Sequence, residues 1–88
     1  MTEQIDIPSW VKGRQANVEP VGQGLYRVTG PNLPEAIVGA RMTDDLRWQG
    51  LLRTAADGPE IAVGTSTQAN ARDALFAAFE LYREHMIY

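Results

Sequence analysis

The segment that most limits how this chain can fold lies in its second half. Leu46-Arg47-Trp48-Gln49-Gly50-Leu51-Leu52-Arg53 alternates like a strand, with Leu46, Trp48, Gly50 and Leu52 on one face and Arg47, Gln49, Leu51 and Arg53 on the other. Ala56-Asp57-Gly58-Pro59 supplies turn chemistry, and Glu60 to Gly64 reads as a short strand. One long amphipathic helix is expected from Gln68 to Met86. Strand, turn, strand and helix in that order specify a small antiparallel sheet with a helix laid on one face.

The helix expectation rests on spacing. Thr65, Ser66 and Thr67 offer an N-cap hydroxyl, and alanine and leucine dominate the next two turns. Ala71, Leu75, Ala78, Tyr82 and Met86 form an apolar stripe, flanked by Ala74, Phe79 and Leu81, while Arg72, Asp73, Glu80, Arg83 and Glu84 take the other side. The small alanines are expected to let this helix sit close to the sheet, over Trp48. Upstream, Gly22-Gln23-Gly24, Gly30-Pro31-Asn32 with Pro34, and Asp44-Asp45 punctuate further strands at 17–21, 24–29 and 36–42, the last with Val38, Ala40 and Met42 inward. The expected fold is α+β in two layers: a four- to five-stranded antiparallel sheet with one long C-terminal helix packed on one face.

A length of 88 residues suits one domain. Residues 1–17 are polar around an isolated apolar cluster of Ile5, Ile7, Trp10 and Val11, which reads as a loose tail or as an arm that docks its tryptophan. Residues 18–88 form the single α+β domain. A net charge of −3 gives no global pull toward nucleic acid or anionic lipid, and the absence of cysteine excludes disulfides and thiolate metal sites. No apolar run approaches the roughly 20 residues of a membrane helix, and the first residues lack a secretory leader. A cytoplasmic protein is the resulting expectation. Seven of the eight basic residues are arginine, a bias that points to a GC-rich bacterial genome.

Catalytic patterns are absent from the sequence. His85 is the single histidine, one turn from the chain end, where a partly buried cation suits a helix C-terminus. Ser9 and Ser66 fall in the arm and at a helix cap, not in a nucleophile elbow. Asp44-Asp45 lacks a third carboxylate for a metal, and Gly22-Gln23-Gly24 lacks the third glycine of a dinucleotide loop. The chain is therefore read as a non-enzyme with no cofactor.

Two surfaces remain. With the helix over the Trp48 side, Arg27, Arg41, Arg47 and Arg53 project from the open sheet face, and the acids are expected mostly in the tail, the turns and the outer helix face. Such a stripe could contact phosphates or guanine edges. The second surface is on the helix, where Phe76 falls off the apolar stripe among Arg72, Glu80 and Arg83, with Ile87 three turns along. An aromatic ring ringed by arginine is either covered by the arm, through Ile7 and Trp10, or anchors a partner.

Residues 36–83 resemble the ethylene-response-factor type of plant DNA-binding domain. Trp48-Gln49-Gly50-Leu51, Gly64-Thr65-Ser66-Thr67, Ala71 with Ala74, and Tyr82 sit in comparable places. That resemblance implies DNA contact through Arg41, Arg47 and Arg53, although Ile37-Val38-Gly39-Ala40 stands where the family has a basic strand. The helix Ala69 to Arg83 is similar to the last helix of HicB-type antitoxin domains, without that family's Pro-Gly strand motif. The functional expectation is binding of a protein partner, or self-association, through Phe76, Arg72, Arg83 and Ile87. The alternative is nucleic-acid binding through Arg27, Arg41, Arg47 and Arg53.

Overall fold

A computed structural model describes residues 7–22, 24–31, 33–55 and 58–87. Residues 1–6, with Ile5, and the turn positions Gln23, Asn32, Ala56 and Asp57 lie outside the described residues. The element order is α1 (Ser9–Gly13), β1 (Asn17–Gly22), β2 (Leu25–Gly30), β3 (Leu33–Met42), β4 (Trp48–Arg53), β5 (Glu60–Val63) and α2 (Ala71–Tyr82), followed by a π-helical turn over Arg83–Ile87. The five strands form one antiparallel meander in the order β1-β2-β3-β4-β5. Short hairpin connections make this the lowest-cost way to pair consecutive strands. Pro20 sits in β1, at the sheet edge, where its missing N–H can face away from the ladder.

Helix α2 covers one face, and its buried residues Ala74, Leu75, Ala78, Phe79 and Tyr82 reproduce the expected apolar stripe. Leu75, Ala78, Phe79 and Tyr82 pack with Val28, Leu33, Ala36, Val38 and Leu52 of the sheet and with Val11 of α1. Helix α1 thus docks beside α2, with Trp10 stacked on Tyr82 at 6.2 Å between ring centroids. The Tyr82 hydroxyl donates to the Pro34 carbonyl, tying the end of α2 to the start of β3. Burial pushes the Tyr82 phenol above its ordinary pKa, because the ionised form would lose its water.

Local expectations need correction at three places. The residue beneath the helix is Gly50, not Trp48: a Cβ at 50 would lie 2.5 Å from the Ala74 carbonyl oxygen and 2.8 Å from the Ala78 nitrogen. A tryptophan cannot fit where two backbones meet, so Trp48 is only partly buried and stands outside the cluster around α2. The helix begins at Ala71 because Gln68 is held by paired backbone hydrogen bonds to Trp48, of 2.6 and 2.9 Å. Its cap is then the Asn70 side chain, which accepts from the Asp73 N–H at 2.8 Å, in place of a Thr or Ser hydroxyl.

The third correction is at the β3–β4 turn. Leu46 does not open β4; it sits in the turn with φ 63°, and Thr43 donates its N–H to the Arg47 carbonyl at 2.7 Å. Three-residue hairpin loops place a left-handed residue at that point, normally glycine. Met42, expected inward, is exposed beside this turn. No helix among the described residues is long and apolar enough to cross a membrane.

Candidate functional site

The open face of the sheet is built from the odd-numbered residues of β2, of β4 and of β3 from Glu35 onward; the register shift at the start of β3 leaves Leu33 in the helix-side cluster. One cross-strand row reads Glu19, Arg27, Ile37, Arg53, Glu60, each residue paired with the next across five strands. The adjacent row reads Leu25, Gly39, Leu51, Val63. Neither described helix lies over these rows, yet Ile37 and Leu51 are each only 1% exposed. Leu25 folds over Gly39, where a Cβ would come within 2.6 Å of its methyl group. Arg27 and Arg53 flank Ile37 with their Nε atoms buried, so their stems shield the isoleucine while the guanidinium ends stay at the surface.

The expected arginine stripe exists for Arg27, Arg41 and Arg53, but the acids do not lie elsewhere. Arg27 pairs with Glu19 and Glu35, each at 3.4 Å. Glu60 pairs with both Arg41 and Arg53, the latter at 3.5 Å. Glutamates from β1, β3 and β5 fall on the same face because side chains alternate along each strand. Arg47 stands apart from this ladder: its Nε donates to the Thr67 hydroxyl at 2.7 Å, pinning the chain before α2. Among the described residues the face is an ion-pair ladder, with three arginines facing three glutamates.

The helix patch is reshaped as well. Phe76 is partly exposed, stands outside the buried cluster, and carries the Arg72 guanidinium 5.6 Å from its ring centre. Trp10 of the arm does not reach across to Phe76 but stacks on Tyr82, and Arg83 lies over the Trp10 ring at 5.9 Å. Arg83 also meets Glu80 at 3.8 Å. Ile87 leaves the expected patch, because the widened π turn after Tyr82 rotates it onto the core cluster. The structure therefore brings Arg72 and Phe76 together, holds Arg83 against the arm and removes Ile87.

Among the described residues no group of His, Asp and Glu could hold a metal ion. His85 is exposed on the π turn, against the expectation of partial burial. Asp45 accepts from the Thr43 hydroxyl, and that bond, with the Asp45 backbone N–H and the Arg47 charge, holds its carboxyl below the ordinary range. Both acids of the 44–45 pair serve an exposed turn.

Sequence reasoning missed four exposed apolar residues: Leu46 at 76%, Met42 at 51%, Ile61 at 44% and Val63 at 39%. The Asp44-Asp45-Leu46 spacing of a three-residue loop was the available signal for Leu46. Ile61 and Val63 gave none, because their exposure depends on β5 being the last strand. No family model, no curated protein and no solved structure matches the chain.

Proposed function

We propose that this chain is a small non-catalytic binding protein of a bacterial cytoplasm, which meets a protein partner through the flank of α2 centred on Phe76. The observation that carries the reading is Phe76 itself. It is an aromatic side chain in the middle of a helix whose other large apolar residues turn inward, and an arginine lies over its ring. Rigid aromatic–arginine pairs lose little entropy on binding and dominate contact energies at interfaces. Arg83, fixed by Trp10 and Glu80, borders the same flank.

Nucleic-acid contact through Arg27, Arg41, Arg47 and Arg53 draws less support. Phosphates would have to displace Glu19, Glu35 and Glu60 from the three ladder arginines, which cancels much of the gain from counterion release.

The test compares wild type with Phe76→Glu, after circular dichroism has shown both folded. Immobilised wild type retains a bound chain from bacterial extract that Phe76→Glu loses. Identical retained sets for the two proteins would remove the reading. A fluorescence-anisotropy titration with duplex DNA at low ionic strength decides the alternative, which fails if no binding is seen there.

A further inference from the structure

The two edges of the sheet are finished differently. β1 carries Pro20, which has no N–H to offer, and the exposed Glu19. β5 has no proline and no lysine within Glu60–Val63, and its one acid is turned to Arg41 and Arg53 of its own chain. It presents two β-branched side chains, Ile61 and Val63, to solvent. The N–H of Gly64 reaches the Gly50 carbonyl at 2.8 Å. Alternation along an antiparallel ladder then turns Ala62 toward β4 and Val63 toward the free edge. Val63 also ends the apolar row Leu25, Gly39, Leu51, Val63, which stops at that edge.

We propose that β5 pairs with β5 of a second copy, antiparallel about a two-fold axis at Ala62, joining two sheets edge to edge. In that register Ile61 of each copy stands beside Val63 of the other, so both exposed residues gain a β-branched cross-strand neighbour. The apolar row then continues across the axis, and Glu60 falls beside Gly64, away from any like charge. Moving the axis to Val63 would set Ile61 beside Thr65 and lose that match. Apolar pattern selects register, and here it selects the axis at Ala62. A two-fold contact of this kind is self-complementary and closed. It is also short, and the register shift between Leu52 and Arg53, which skips Ile61, limits its extent, so association rises with concentration.

Because the chain has no cysteine, Ala62→Cys introduces a single thiol. Opposed residues at a non-hydrogen-bonded pair lie about 4.5 Å apart between Cα atoms, within disulfide range. With oxidised glutathione, Ala62→Cys should form a linked dimer at least about tenfold faster than Thr65→Cys, which sits off the axis. Val63→Lys added to Ala62→Cys should abolish that advantage, and Phe76→Glu should leave it intact. Equal rates at positions 62 and 65, or an unchanged rate with Val63→Lys, would overturn the proposal. So would loss of cross-linking with Phe76→Glu alone, since copies would then meet through the helix. Sedimentation equilibrium needs no thiol: wild type should gain mass toward millimolar concentration while Val63→Lys stays monomeric, and a wild type that remains monomeric there refutes β5 pairing.

Discussion

The two faces of the sheet bury leucine by different means. On one face Leu52 lies under α2, enclosed by a second layer. On the other, its neighbour Leu51 is equally buried, although neither described helix covers it. Its cover comes from side chains of the same sheet, with Leu25 laid over Gly39 and arginine stems beside Ile37. The first face is packed between two layers of backbone; the second has a lid of side chains alone. A small domain thereby extends its apolar burial beyond what a single helix can cover.

The largest expected effect tests that difference directly. Leu52→Ala leaves a cavity between two layers and should cost about 3–4 kcal/mol, whereas Leu51→Ala should cost about 2 kcal/mol because its lid can settle. Urea unfolding followed by circular dichroism measures both. Equal losses would mean that the open face is packed as rigidly as the core.

A smaller effect separates the faces by pH. Tyr82 belongs to the helix face, and its phenol is held neutral by burial, so its folded pKa lies above the unfolded one. Its contribution is complete below the unfolded value and is lost as pH rises through the folded value. Tyr82→Phe should cost about 1–2 kcal/mol near neutrality, by orphaning the Pro34 carbonyl, and should flatten the alkaline fall in stability. An unchanged alkaline limb would locate the sensitivity elsewhere.

On the open face the sensitive variable is the arginine stem. Arg53→Ala should cost about 1 kcal/mol while Arg53→Met, which keeps the stem, should cost less than about 0.5 kcal/mol. If Met is as costly as Ala, the Glu60 ion pair and not the lid accounts for the loss, and the cost should then shrink in high salt. A change of similarly small size, but of opposite sign, concerns the turn that joins β3 to β4. Leu46→Gly should stabilise the fold by roughly 0.5–1 kcal/mol, since glycine adopts φ near 63° without steric cost. Calorimetry resolves a shift of that size, and a loss of stability would show that the exposed Leu46 side chain has contacts of its own.

Most of the architecture was legible along the chain. Alternation in 46–53 and the stripe Leu75, Ala78, Tyr82 are local signals, and they placed β4 and α2 on the right faces. Helix ends were less legible, because Asn70 caps only after Gln68 has been captured by Trp48. Of the candidate site, Phe76 with Arg72 could be read from helical spacing, since residues four apart share a face. Ile87 could not, because the register changes to a π turn after Tyr82. The glutamates of the ladder were missed for a similar reason: which acid faces which arginine depends on pairing residues up to 19 positions apart.

Sequence alone therefore determined the periodic properties of this protein: strands that alternate and a helix with one apolar stripe. Those arise from neighbours a few residues apart, where backbone geometry is regular. Tertiary structure decided that Gly50 and not Trp48 meets the helix, that each ladder arginine faces a glutamate, and that Ile61 and Val63 line a free edge. Those depend on strand order and register, which place residues distant in the chain within a few ångströms and which no local pattern encodes.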